Sequence, residues 1–217
     1  ETLTCFENGL RFEVDPIRGQ KTGFFLDQRD NRARVEGLAK GRRVLNVFSY
    51  NGGFSLAAAR GGATEVTSVD QSGPALASSQ RNFLLNAAEP TVAAARHRTI
   101  EDDAFKALAE LVKQGERYEL VIIDPPAFAV RRTQVKDALH AYGRLAQLGL
   151  ALLAPGGDIV LASCSSPVSP ADFREAVCAA AEFAGRPLRA LSESGHALDH
   201  PVDFADSRYL KCLFAQA

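Results

Sequence analysis

Short apolar runs recur along the chain at regular intervals, separated by longer helical patterns. Arg43–Phe48, Glu65–Asp70, His97–Ile100, Glu119–Asp124 and Asp158–Ser163 are short and apolar or β-branched, as expected of strands buried on both faces. Between and after them, Phe54–Arg60, Pro74–Asn86, Asp103–Lys113, Gln134–Leu153 and Pro170–Phe183 predict helices. Pro74 and Pro170 fall in the first turn, where a missing N–H leaves no bond unmade. Pro187–Ser192 and Tyr209–Ala215 predict two last strands with no room for a helix between them, so the final strand is expected to return antiparallel. This alternation predicts an α/β fold, a seven-stranded, mostly parallel, doubly wound sheet. Ahead of it, Cys5–Val14 alternates on both sides of Asn8-Gly9 and predicts a β-hairpin. Asp15-Pro16 and Arg18-Gly19 then mark a loop, and Asp27–Lys40 a short helix ended by Gly41.

Composition narrows the class. The 217 residues make one good-sized domain, able to bury a core without disulfides. No apolar run reaches the ~18 residues that a membrane span needs. Twenty-five basic residues against 26 acidic leave a net charge of −1, so bulk charge neither points to nucleic acid nor excludes it. The four cysteines, at 5, 164, 178 and 212, lack metal-ligand spacing, and with no signal peptide they suit a reduced, cytoplasmic protein. The chain contains no Met, so Glu1 is expected to be an internal cut of a longer protein.

In a doubly wound sheet, ligands bind beyond the carboxyl ends of the strands. After the first strand, Asn46-Val47-Phe48-Ser49-Tyr50-Asn51-Gly52-Gly53 opens a helix. Its glycines allow close approach to the backbone and expose helix N-terminal amides; a plain strand-to-helix turn would look the same. The dinucleotide fingerprint is absent. Asp70, followed by Gln71, ends the second strand about 20 residues on, where a carboxylate can accept two ribose hydroxyls. Asp103, before Ala104 and Phe105, reads equally as an acceptor for an adenine amino group or as a helix N-cap.

The fourth strand ends in Asp124-Pro125-Pro126-Ala127-Phe128. Two prolines stiffen this loop and remove donors, leaving Asp124 aimed at the cleft and Phe128 as a stacking surface for a flat substrate. The fifth strand ends in Ser163-Cys164-Ser165, where a nucleophile would sit; Cys178 and Cys212 read as core residues.

These residues resemble the class I S-adenosylmethionine-dependent methyltransferases, and most closely the RlmI-like family that makes 5-methylcytosine in large-subunit ribosomal RNA. The most specific match is Gly19–Arg32, which is similar to the family's cofactor segment ahead of the first strand. The resemblance implies cofactor contacts from Lys21, Thr22, Gly23, Phe25, Asp27 and Arg29. It implies the same for Asn46, Phe48, Ser49, Tyr50, Asn51, Gly52, Asp70, Gln71, Asp103, Ala104, Phe105, Asp124 and Pro125. Asn51 stands where relatives commonly carry a small hydroxyl residue. S-adenosyl-L-methionine is then the donor and no metal is expected. Cys164 is the implied nucleophile and Asp124 its partner, with Pro126, Phe128, Arg131 and Arg132 on the substrate side. Asp199-His200-Pro201 and Tyr209-Leu210-Lys211 are similar to the family's C-terminal signature. RNA is the implied partner and a homodimer a further expectation. Arg29, Arg32, Arg34, Lys40, Arg42 and Arg43 form one basic cluster that could meet it, and Arg131, Arg132 and Lys136 another. Residues 1–18 are read as the remnant of an upstream domain and 19–217 as the methyltransferase domain.

Overall fold

The structure, a computed structural model, describes residues 2–17, 23–200 and 207–217. Strands β1 (Leu3–Glu7) and β2 (Leu10–Val14) form the antiparallel hairpin, turning at Asn8 and Gly9 with φ of +49° and +85°. That is the left-handed pair an Asn-Gly turn requires. A 3-10 turn (Leu26–Gln28) leads into α1 (Arg29–Leu38). Alternation then runs β3 (Arg43–Val47), α2 (Gly53–Arg60), β4 (Glu65–Asp70), α3 (Gly73–Leu85), α4 (Pro90–Ala94), β5 (Arg96–Glu101), α5 (Ala104–Lys113) and β6 (Tyr118–Ile123). It continues through α6 (Val135–Leu152), β7 (Leu153–Ser163), α7 (Pro170–Phe183), β8 (Arg189–Ser194) and β9 (Lys211–Gln216).

The main sheet has seven strands in the order β5-β4-β3-β6-β7-β9-β8. β3 pairs in parallel with both β4 and β6, so strand order reverses there, while β9 lies antiparallel between β7 and β8. Two elements differ from expectation. α4 lies in a segment read as a connection, because five residues are too few to show a helical period. β7 begins at Leu153, which pairs with Tyr118 before a register shift brings Asp158 opposite Leu120.

Alternate residues of each central strand feed two cores. Val121, Ile123, Ile159 and Leu161 face a cluster with Leu108, Tyr142, Leu145, Leu150 and Phe173 from α5, α6 and α7. Leu120, Ile122 and Val160 face the other, with Val35, Leu56 and Phe83 from α1, α2 and α3. The hairpin belongs to this second core through Leu10, Phe12 and Val14. Phe12 packs on Phe24 at 4.6 Å between ring centroids. Asn82 and Asn86 of α3 serve β2 as a neighbouring strand would: their Oδ1 atoms accept from Glu13 N (2.7 Å) and Arg11 N (2.9 Å). Buried Arg32 donates twice to buried Glu7, at 2.6 Å each, with its guanidinium over the Phe24 ring.

Arg32 is therefore no surface cation, and most of its cluster is likewise engaged. Arg29 bonds Asp30 and Asp199, Arg34 stacks on Phe214, Arg42 bonds Asp158, and Arg43 bonds Glu65 and Glu116. These arginines are taken up by ion pairs and packing, while Lys40 stays exposed.

On the edge strand β5, His97 stacks on Phe83 at 3.8 Å and shares a 2.9 Å hydrogen bond with Ser68 Oγ. Burial pushes its imidazole down to about 4. The unfolded chain takes up this proton near the ordinary ~6.5 and the folded chain does not, so stability is present above that pH and falls as pH drops towards 4. Urea unfolding at pH 7 and pH 5 should show His97 contributing about 2 kcal/mol to the loss; His97→Gln should remove that share of the slope.

Candidate active site

The carboxyl ends of β3, β4, β6 and β7 open on a single cavity of about 990 Å³. One wall begins with the loop after β3. Phe48 and Tyr50 adopt left-handed backbone (φ +60° and +48°), costly for aromatic residues, and Gly52 does so at +83°. A Cβ at Gly52 would lie 2.1 Å from Ser79 Oγ, so no side chain fits there. The loop is fastened to the end of β4: Ser49 N donates to Val69 O (3.0 Å) and Tyr50 N to Asp70 Oδ2 (2.8 Å). Ser72 N donates to Asp70 Oδ1 (2.9 Å), leaving each carboxylate oxygen a second lone pair.

Gly23, Phe25, Asp27, Phe48, Ser49, Tyr50, Asn51, Asp70, Gln71, Asp124, Pro125, Pro126 and Cys164 all line the cavity. Of these, the buried Ser49 hydroxyl has no hydrogen-bond partner among the described residues. Volume, carboxylate and orphan hydroxyl together fit a nucleoside-sized polar ligand.

Other expected contacts stand off this wall. Asn46 is buried behind the loop, bonded to Ser55 Oγ (2.8 Å), and Gly52 caps α2. Arg29 is held on the surface by Asp30 and Asp199. Asp103 is the N-cap of α5, accepting from Lys106 N (3.2 Å). Ala104 is buried in the first core and Phe105 lies under the Arg144 guanidinium. Phe128 packs between Phe48 and Tyr142 rather than on the cavity surface. Arg131 and Arg132 are exposed on the turn that follows cavity-lining Ala129 and Val130. Lys21, Thr22, Gly19-Gln20 and Pro201 lie outside the described residues.

The opposite wall is a hydrogen-bonded unit. Gln28 Nε2 donates to Asp124 Oδ1 (3.0 Å), Asn31 Nδ2 to Gln28 Oε1 (2.6 Å), and Ser194 Oγ to Asn31 Oδ1 (2.6 Å). This chain orients the Asp124 carboxylate from α1 and β8. Cys164 Sγ stands 3.7 Å from Pro125 O. Its flanking serines are fixed by one phenol: Ser163 Oγ donates to Tyr142 Oη, and Ser165 Oγ shares a bond with it, both at 2.8 Å. Ser165 Oγ also accepts Ala129 N (3.0 Å), joining the Cys164 loop to the loop after β6. Tyr209 Oη donates to Asp27 Oδ2 (2.6 Å); burial and that carboxylate push the phenol above its usual range. Gln28, Asn31, Tyr142, Ser194 and Lys211 are residues for which sequence reasoning assigned no role. Gln28 lay inside the Gly19–Arg32 match and Lys211 inside the C-terminal one, whereas Tyr142, mid-helix, carried no local signal. Buried Cys212, its thiol pushed up by burial, behaves as a core residue.

Tyr142→Phe takes one hydrogen-bond partner from each serine hydroxyl, so urea unfolding should show a loss of about 2 kcal/mol. Amide exchange at residues 163–168 should quicken as well.

Residues 1–206 match the model of the S-adenosylmethionine-dependent methyltransferase family. A ribosomal RNA large subunit methyltransferase of Deinococcus radiodurans is 55% identical over 216 residues, covering 100% of this chain and 52% of that protein. A ribosomal RNA large subunit methyltransferase I of Aeromonas salmonicida is 40% identical, covering 100% of this chain and 54% of that one. The chain thus spans about half the length of these relatives. A methyltransferase crystallised with SAH superposes with a TM-score of 0.82 at 30% identity, over all of this chain and 56% of that one. The chain belongs to the S-adenosylmethionine-dependent methyltransferases.

Proposed function

We propose that this chain transfers a methyl group to carbon 5 of a cytosine in large-subunit ribosomal RNA. The observation that carries the reading is a thiol and a carboxylate, Cys164 and Asp124, on one wall of the cavity whose other wall suits the cofactor. The large-subunit RNA comes from the relatives' names.

When bound, S-adenosylmethionine supplies an electrophilic sulfonium methyl. Asp70 would hold its ribose hydroxyls, with Ser49, Tyr50 and Gln71 beside it; Lys21, Thr22 and Asp103 remain candidate contacts. Carbon 5 of cytosine is a poor nucleophile while the ring is aromatic. A thiolate adding to carbon 6 makes an enamine-like species that is nucleophilic at carbon 5, and this is the role of Cys164. Asp124, oriented by Gln28, holds the base and stabilises a proton at ring nitrogen 3, which balances the negative charge that the thiolate brings to the ring. After methylation, solvent water in the open cleft takes the carbon-5 proton, the electron pair left behind expels the thiolate, and release of the nitrogen-3 proton restores the ring. A guanine nitrogen or a base amine already has its lone pair and needs no such thiol. The base must leave its stack to enter, which is cheapest in single-stranded or loop RNA. Exposed Arg131, Arg132 and Lys136 meet the phosphates beside the cavity mouth. The reaction belongs to the cytoplasm.

Calorimetry should show S-adenosylmethionine binding that Asp70→Ala weakens by about 10- to 100-fold, the range for hydrogen bonds to a charged group; an unmodified chain that binds none would end the cofactor assignment. RNA carrying 5-fluorocytosine cannot lose the carbon-5 substituent as a proton, so it should trap a covalent adduct on Cys164. Equal behaviour of the wild type and Cys164→Ala in that trap would rule out the thiolate route.

A further inference from the structure

The sheet brings one unusual side chain next to the nucleophile. Lys211 opens β9 and is the ladder partner of Ser163 on β7. Its ammonium donates to Ser165 O at 2.6 Å and to Val168 O at 2.9 Å. Lys211 thus touches the chain on both sides of Cys164, by pairing before it and by hydrogen bonds after it. It is 6% exposed, and no carboxylate lies within 4 Å of it among the described residues. A buried ammonium without an anion is expensive, even when carbonyls accept its protons. Two carbonyls bind it as dipoles and leave its unit charge unbalanced.

We propose that Lys211 is the buried counter-cation of Cys164, a positioning residue that holds the nucleophile loop and favours the sulfur as thiolate. This rests on the reading of Cys164 as the nucleophile. The two groups are complementary in time as well as in charge. The thiolate is present before attack and after expulsion, and the ammonium keeps its carbonyl bonds throughout, so the loop need not move while sulfur gains and loses its bond to carbon 6. Burial pushes Lys211 down to about 8, and the charge on Cys164 acts in the opposite sense.

Other groups also face the sulfur. Tyr142 from α6 and Tyr209 ahead of β9 both have phenols held up by burial, so both stay neutral through the working range. Asp124, after β6, lines the same cavity, and its carboxylate opposes a thiolate. The neighbouring Cys212 on β9 is raised by burial and stays neutral. The favourable charge must therefore outweigh Asp124, which a flanking ammonium inside the protein can do.

The test is the pH dependence of iodoacetamide alkylation in the folded chain, mapped to each cysteine by mass spectrometry. Partly buried Cys5 and Cys178 serve as internal references. Lys211→Met should slow Cys164 alkylation at pH 7 by about tenfold or more and move its midpoint to higher pH. Lys211→Arg keeps the cation and should retain the wild-type profile. An unchanged profile in folded Lys211→Met overturns the pairing, as does an equal shift in both variants, which would assign Lys211 to loop geometry alone. Should Lys211→Met fail to fold, Cys164→Ala gives the reciprocal measurement. The Lys211 ammonium, followed by NMR of lysine labelled at Cε, should then lose its proton at lower pH than in the wild type, and an unmoved midpoint overturns the proposal. Neither readout needs RNA or methyl donor, so failure here is distinct from failure of the 5-fluorocytosine trap.

Discussion

The geometry of the site depends on one constraint, the parallel pairing of β3 with a neighbour on each side. Val47 stands opposite Val69 on β4 and Ile123 on β6, so three strands end at one level. The ladder then continues into the loops: Ser49 N reaches Val69 O and Asp124 N reaches Val47 O (3.3 Å). A one-residue slip in either pairing would turn Asp70 or Asp124 to the opposite face of the sheet. Burial of β3, β4 and β6 on both faces resists that slip, because alternate residues of each strand are committed to different cores. The chemistry is local, but its accuracy comes from apolar residues that never touch a ligand.

Polar contacts add a second level of control. Asp70 uses its carboxylate to hold the backbone of the loop after β3, so one residue both shapes the cavity and presents acceptors to it. Gln28, Asn31 and Ser194 do the same for Asp124 from the far side of the cavity. Tyr142 fixes the two serines beside Cys164 and leaves the cysteine itself at the surface of the cleft. Such networks are stable only when every member is satisfied. The Ser49 hydroxyl, left without a partner among the described residues, is the kind of exception expected where a ligand completes the set.

Much of this architecture was legible in the sequence. Buried parallel strands read as apolar runs, the Asn-Gly pair specified the hairpin turn, and the helix-free final connection indicated an antiparallel return. Strand-end residues were legible too, since the topology dictates where ligands bind; Asp70, Asp124 and Cys164 share one cavity. Contacts between distant segments were not. Charge counting grouped Arg29 to Arg43 as a basic face, but Glu7, Asp158 and Glu116 lie 25 to 116 residues away along the chain from the arginines they bind. Phe128, read as a platform for a flat substrate, instead packs between Phe48 and Tyr142. The left-handed backbone at Phe48 and Tyr50 has no local signature either, because tertiary contacts impose it on aromatic residues.

The place of β9 in the sheet has a consequence for how the molecule becomes active. β9 lies between β7 and β8, yet both precede it in the chain, so β8 has no strand to pair with until β9 arrives. A folding chain can complete the β3, β4, β5, β6 and β7 ladder, with its glycine loop and the Cys164 turn, before that insertion. Non-local pairing of this kind is slow to form. Because Lys211 enters with β9, the pairing proposed here leaves Cys164 without its cation in every earlier intermediate. Without that cation the thiol would ionise less readily and react more slowly with oxidants and stray electrophiles. Reactivity of Cys164 would be the last property the fold acquires, which would protect that thiol while the rest of the protein is still being built.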